Sequence, residues 1–192
     1  MSSDNQRGVL PETLEDSFII DKLKNPETKN YGFNLMLQNY QERVYWHVRK
    51  MVIVHEDADD ITQNTFVKAW NNLEKFRGES GLFTWLYRIA TNECLNFLKK
   101  KNRWKMLSMS NYSDFLEDQL TNSDMISGEE IEMKLQKAVL KLPDKQRLVF
   151  NLKYFDEMKF EEIAEVTQTS VGALKASYHH AVKKIENILN DD

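Results

Sequence analysis

An all-α chain of two small helical domains is predicted from three observations. Glycine and proline are scarce, at 6 and 3 of 192 residues, too few for the turns of a β sandwich or for a Gly-rich cofactor loop. Apolar residues recur at three- and four-residue steps through most of the chain, the period of one helix face. A Ser-, Asn- and Asp-rich stretch at 106–127 lacks that period and reads as a linker. The expected organisation is an N-terminal extension with a short helix (1–30), a first unit (31–105), a flexible acidic linker (106–128) and a second unit (129–192).

Composition sets outer bounds. Hydrophobic residues are 41% and charged residues 29%, a balance that excludes a wholly disordered chain. The single cysteine, Cys94, can close no intrachain disulfide and build no Cys-rich zinc site, which suits a reducing, cytoplasmic setting. No run approaches the roughly 20 apolar residues of a membrane span, and residues 1–10 lack the apolar core of a signal peptide, so a soluble, unexported protein is expected. The net charge of −4 is unevenly spread: residues 83–105 carry +5 and residues 106–132 carry −7. A basic block beside an acidic one is either a solvated surface or a nucleic-acid footprint.

In the extension, residues 12–24 predict a short helix that stops at Asn25-Pro26, where proline disfavours continuation. Phe33, Leu37, Tyr40, Val44, His47/Val48 and Met51 then mark the inward stripe of a helix. His47 on that stripe reads as a core histidine, since no second ligand sits at metal-binding spacing.

A helix over 57–76 follows, with Asp57 near its positive end. Ala58, Ile61, Thr65, Ala69, Leu73 and Phe76 form its core arc. Phe66 and Trp70 widen that arc, and Asp60, Gln63, Val67 and Glu74 carry it to solvent. An apolar arc too wide for one neighbour and edged by acids suggests a partner surface. The run His55-Glu56-Asp57-Ala58-Asp59-Asp60 invites a metal or hydrolytic reading, but its carboxylates project in different directions and no second His completes a pair.

After the loop 77–81, a helix over 82–103 places Leu82, Phe83, Leu86, Ile89, Ala90 and Phe97 inward. Trp85, Arg88, Asn92, Asn96, Lys99 and Arg103 share an outward strip. Cations neutralise phosphates, amides read base edges and an aromatic stacks on an unpaired base, so this strip suits DNA, including melted DNA.

In the second unit, a helix over 130–142 carries Ile131, Leu135, Ala138 and Leu142 on one stripe, and Pro143 restarts the chain into a helix over 144–155 with Leu148, Leu152 and Phe155. A short helix marked by Phe160, Ile163 and Ala164 leads through 167–169 to Ser170, an N-cap before a helix reaching about residue 189. That pair is a helix-turn-helix, whose second member can enter the major groove. Leu174, Tyr178, Ala181 and Ile185 would be buried. Gly172, Ala176, His179, His180 and Lys183, flanked by Ala173 and Lys175, would face duplex DNA, the small residues allowing close approach and the lysines meeting phosphate.

These motifs resemble a family. Residues 57–63 (DADDITQ) with Phe66 and Ala69-Trp70, then Phe76-Arg77-Gly78, the run 84–90 (TWLYRIA) and Asn92, resemble region 2 of the extracytoplasmic-function (ECF) group of bacterial sigma-70 RNA polymerase sigma factors. Leu142-Pro143, Gln146-Arg147, the run 160–164 (FEEIA) and the run 170–175 (SVGALK) are similar to region 4 of the same group. The resemblance implies a transcription-initiation factor with no enzymatic activity, cofactor or bound metal.

By that resemblance Asp57, Asp60, Gln63, Phe66 and Trp70 would contact the clamp helices of core RNA polymerase. Phe76, Arg77, Thr84, Trp85, Arg88, Asn92, Asn96, Lys99 and Arg103 would recognise and melt the minus-ten element, with the 77–80 loop holding an extruded base whose extrusion costs a few kcal/mol. Ser170, Gly172, Ala173, Lys175, Ala176, His179, His180 and Lys183 would read the minus-thirty-five element, and the earlier helices of the second unit would touch the polymerase flap. Promoter DNA, core polymerase and an anti-sigma factor are the implied partners, without an obligate homo-oligomer. The alternative is a stand-alone helix-turn-helix regulator.

Two departures from the family pattern stand out. Arginines common in the group are replaced by Ser177, His180 and Val182 in the last helix and by Thr91 in the third, so the duplex-reading helix is weakly cationic. The linker, about 25 residues long, would span only about 28 Å as a coil, whereas two DNA elements one and a half turns apart lie about 50 Å from each other. It must be drawn out, and the resemblance implies that it threads the RNA channel, its acids facing cationic walls.

Overall fold

A computed structural model describes residues 15–76, 78, 80–105, 112–121 and 130–191. All regular structure among them is helical: α1 (Asp16–Lys24), α2 (Lys29–Val52), α3 (His55–Asn71), α4 (Leu82–Lys105), α5 (Tyr112–Thr121), α6 (Glu130–Leu140), α7 (Asp144–Tyr154), α8 (Phe160–Thr167) and α9 (Val171–Asp191). The all-α prediction holds. The predicted 57–76 helix is instead α3, starting at His55, followed by a 3-10 turn at Leu73–Lys75 that leaves Phe76 outside any helix.

Local chemistry explains the ends and corners. α1 gives way at Asn25, whose Oδ1 accepts the Glu27 backbone N–H at 3.0 Å, and Thr28 Oγ1 donates to the Lys22 carbonyl at 3.0 Å. Asp16 ties three helices: its carboxylate accepts from the Tyr40 hydroxyl and from the Leu82 N–H, the latter at 3.1 Å and at the positive end of α4. α1 crosses α2 at Gly32 so closely that a Cβ there would lie 2.7 Å from the Leu23 nitrogen and 2.8 Å from the Lys22 carbonyl carbon. Gly32→Ala would gain about 1 kcal/mol of helix propensity. The clash is with backbone, so α1 must shift, and overpacking costs typically 1–3 kcal/mol. A net loss is expected, read as a Tm several degrees lower in a thermal melt, whereas an unchanged or raised Tm would show that α1 yields freely.

The α2–α3 corner turns at Ile53, with φ 67 and ψ −42, and the Val54 N–H donates to the Val52 carbonyl at 2.8 Å. This is the strained hand of γ-turn, held by a β-branched residue. Ile53 is only 1% exposed because Leu116 and Leu120 of α5 pack over it. A helix therefore stands inside the predicted flexible linker. The single four-residue step from Leu116 to Leu120 is too short a pattern to register as periodic.

The inward stripes differ in detail from expectation. On α2, Leu35 and Met36 are buried while Phe33 and Leu37 are half-buried. On α4, Leu82, Leu86 and Ala90 are buried as predicted, and Thr84, Tyr87, Thr91, Cys94 and Leu98 form a second buried arc, while Phe83, Ile89 and Phe97 are half-buried. Two arcs are needed because α4 packs on α2 and α3 on one side and on α8 on the other. Burial pushes the Cys94 thiol up to about 12, so it is inert at neutral pH. On α6, Ile131 stays 82% exposed in the first turn, and burial begins further on, with Gln136, Ala138 and Val139, and resumes at Leu142 beyond the helix end.

The two units do not stand apart. One continuous apolar core joins Met36, Val48, Leu86 and Leu98 of the first unit to Leu148, Leu152, Ile163 and Leu174 of the second. A smaller cluster of Val139, Phe150, Ala181 and Ile185 holds α6, α7 and α9 together.

Candidate functional site

Three surfaces carry the residues singled out by the sequence. The first is an open groove of about 900 Å³ between α2 and α3. Asp60, Gln63, Phe66 and Trp70 line its α3 wall, with Phe66 itself buried. Its other wall was not foreseen: Phe33, Leu37, Gln41 and Tyr45 of α2 complete it. The signal was present, since Phe33 and Leu37 sit at the margin of the α2 stripe, too far round to be fully buried. Trp70 meets Phe33 edge to face at 4.9 Å, and Lys29 Nζ lies 4.9 Å from the Trp70 ring centre. The groove floor is thus apolar and its rim carries Asp59, Asp60 and Glu42, so the trough is amphipathic.

Asp57 does not belong to that groove. Its carboxylate turns toward α4 and pairs with Lys101, so it fastens the bundle. His55 likewise has a structural place: Nδ1 lies 2.8 Å from the Tyr45 hydroxyl and Nε2 lies 3.3 Å from Asp59, which stitches α2 to α3. Among the described residues no group of three or more His, Cys, Asp or Glu could hold a metal ion.

The second surface runs along α4. A cavity of about 530 Å³ is lined by Lys75, Phe76, Gly78, Ser80, Trp85 and Arg88. Phe76 and Trp85 lie 4.9 Å apart, with rings tilted at 42°, so an aromatic wall stands beside two cations. Gly78 turns with φ 75, a conformation that glycine alone adopts without strain. Shallower depressions continue past Asn92, and then past Asn96 and Lys99, forming a polar track down the helix. Thr84 is not part of it: at 8% exposed it faces the core. Arg77 lies outside the described residues, and so does the side chain of Arg103.

The third surface is the outer face of α9. The Glu162 carboxylate accepts the Lys159 N–H at 2.7 Å at the start of α8, Gln168 ends that helix in the left-handed region at φ 54, and Ser170 Oγ accepts the Ala173 N–H at 3.4 Å to open α9. These caps fix the helix-turn-helix angle. Ser170, Gly172, Ala173, Lys175, Ala176, His179, His180 and Lys183 are all exposed, and nothing lies within 4 Å of a Cβ built at Gly172. Leu174, Ala181 and Ile185 are buried as predicted, while Tyr178, expected to be buried with them, is half-buried.

Comparison with known proteins supplies the family. The family model for sigma-70 region 2 matches residues 36–104, and that for sigma-70 region 4 matches residues 132–185. The chain is 32% identical over 160 residues to the ECF RNA polymerase sigma factor SigW of Bacillus subtilis, covering 79% of this chain and 86% of that one. The chain belongs to the ECF group of sigma-70 factors. It is also 29% identical over 186 residues to the ECF RNA polymerase sigma-E factor of Haemophilus influenzae, covering 93% of this chain and 97% of that one. Among solved structures, that of CnrH in complex with the cytosolic domain of CnrY shares the fold with a TM-score of 0.66 at 21% identity, over 92% of this chain and 98% of that one. The sigma factor RpoE of Bartonella quintana, solved with the anti-sigma factor NepR, gives a TM-score of 0.62 at 21% identity, over 83% of this chain and 98% of that one. In this sigma factor the region 2 match runs from within α2 through α3 into α4, and the region 4 match from within α6 through α7 and α8 into α9.

Proposed function

We propose that this sigma factor docks on core RNA polymerase through the α2–α3 groove, melts the minus-ten element on α4 and reads the minus-thirty-five element with α9. Its role is transcription initiation, and the reaction belongs to the polymerase: its relatives are sigma factors, which are not enzymes. One observation carries the assignment of surfaces: regions 2 and 4 both match, in order, and each presents an exposed polar face that its own fold leaves unused. A stand-alone helix-turn-helix regulator would leave the whole of region 2 and its groove without a purpose.

An anti-sigma factor is proposed as a third partner, after the solved complex of the Bartonella quintana neighbour with NepR. A cytoplasmic location fits a factor of this group, and no described helix is long and apolar enough to cross a membrane. Mixing the full chain with core polymerase and separating by size is the direct test. Co-migration at one chain per polymerase is expected, and independent migration would contradict the reading.

The histidines on α9 make a further expectation. His179 and His180 are exposed, with ring centres 6.1 Å apart, and His180 stands at one of the positions where the resemblance implies an arginine. Their ring nitrogens can donate hydrogen bonds to phosphate or base edges. Duplex binding by the His179→Ala/His180→Ala variant should therefore weaken, and equal affinity in variant and parent would remove the idea.

A further inference from the structure

α1 lies wholly before the region 2 match at 36–104, yet it reaches the α4 cavity. Its buried residues, Ile19 and Leu23, dock it on the first unit, and the close crossing at Gly32 fixes its depth. That docking brings Asp16, the first residue of α1, to the start of α4, 66 positions further along the chain.

α4 begins without a cap of its own. Gly81 holds the cap position, since its carbonyl accepts the Trp85 N–H at 3.1 Å, but glycine has no side-chain oxygen to offer the free amides of the first turn. Asp16 supplies that oxygen from another helix. Its Oδ2 accepts the Leu82 N–H at 3.1 Å and is also the nearest atom to a Cβ built at Gly81, at 3.8 Å. A carboxylate there meets both an unpaired donor and the positive end of the helix dipole.

The other oxygen of Asp16 accepts from the Tyr40 hydroxyl on α2. Burial, followed by the hydrogen bond to Asp16, pushes the Tyr40 phenol well above its ordinary value, so it stays protonated and donates. The Tyr40 ring in turn lies beside Phe83, with centres 6.3 Å apart. The cap is thus held from α2 while it holds α4, and Leu82 beneath it is wholly buried.

The cavity is built around that junction. Phe76, Gly78 and Ser80 belong to the segment that enters α4, while Trp85 and Arg88 sit on its first two turns. Phe76 and Trp85, one on each side of Leu82, make an aromatic wall only if segment and helix meet at a fixed angle. A binding geometry of this kind tolerates errors of roughly 0.5 Å, and a first turn with its amides unpaired frays.

We propose that Asp16 is a positioning residue for the minus-ten base: from α1 it caps α4, and so holds Phe76 and Trp85 at the separation that receives a flipped base. It acts through Leu82 and Tyr40. The inference rests on the reading of the α4 cavity given above, and adds to it a residue that neither the region 2 match nor the outward strip of α4 contains.

Promoter opening by the holoenzyme, read from a fluorescent base analogue in the melted strand at saturating chain and polymerase, tests this. Asp16→Ala should lower opening by about five- to tenfold. Its affinity for core polymerase should be unchanged, because the α2–α3 groove has no α1 residue in its lining. Asp16→Asn keeps an oxygen for the Leu82 N–H and an amide that can donate to the Tyr40 oxygen, so it should recover most of the loss. Tyr40→Phe withdraws one support, keeps the ring, and should show a smaller loss of the same kind. The double variant Asp16→Ala/Trp85→Ala should open no less than Trp85→Ala alone, since the ring that Asp16 places is already gone. Parent-like opening by Asp16→Ala and Tyr40→Phe would overturn the proposal. So would an Asp16→Asn chain as impaired as Asp16→Ala, or losses that multiply in the double variant, the mark of a general weakening of the fold. Normal opening by Trp85→Ala sinks the reading of the cavity itself, whereas a normal Asp16→Ala beside an impaired Trp85→Ala sinks only the role of Asp16.

Discussion

Trp70→Ala is expected to weaken binding to core polymerase by about 30-fold, roughly 2 kcal/mol, the loss typical of a half-buried tryptophan anchor. The ring stands in the groove against Phe33 and beneath Lys29, so its removal flattens the apolar floor on which a partner helix would rest. Part of the effect is internal, because the Phe33 contact helps hold α2 to α3, and a modest fall in Tm should accompany it. The discriminating comparison is with Gln63→Ala, an exposed position in the same groove, where truncation should cost little stability and less affinity. Titration of labelled chain against core polymerase reads both. Equal affinity for Trp70→Ala and the parent would move the docking surface elsewhere.

Trp85→Ala should leave polymerase binding intact and lower promoter opening by between about 10- and 100-fold. Stacking of a base on an aromatic ring is worth about 1–3 kcal/mol, and Trp85 with Phe76 forms the only such wall among the described residues of the α4 cavity. Fluorescence of a base analogue placed in the melted strand measures opening directly. If opening is normal in the variant, the cavity does not hold a flipped base. Together the two tryptophans separate the steps, one variant failing to assemble and the other assembling without melting.

Much of this was legible in the residues. The capping signal at Ser170, the stripe Leu174, Tyr178, Ala181 and Ile185, and the exposed face opposite it follow from local rules, because an N-cap and a 3.6-residue period need no tertiary information. The same holds for Asp60, Gln63, Phe66 and Trp70, which share one helix edge.

The errors have a common physical origin. Asp57 and Thr84 were assigned outward from their place in a motif, yet Lys101 and the core claim them. Those partners are 44 residues away for Asp57, a separation no window of periodicity samples. The second buried arc on α4, Thr84 to Leu98, includes Tyr87 and Thr91, which meet Arg43 and His47 of α2, and a helix wheel cannot say how many neighbours a helix has. His47 reads correctly as a core histidine, but its charged partner is Asp156, 109 positions further along. The α2 wall of the groove was missed because a residue at the margin of a stripe looks like a weak core position until its neighbour is known. In each case the sequence carries the residue type and the fold supplies the partner.

The central claim is that this chain acts only through the transcribing enzyme, lending it a choice of start site. Core RNA polymerase supplied with a broad pool of candidate promoter templates, with and without the purified chain, measures it. The account predicts that adding the chain selects a small set of templates sharing two elements about one and a half turns apart and yields run-off transcripts from fixed start points. Transcription of the same templates from the same positions in both reactions would contradict it.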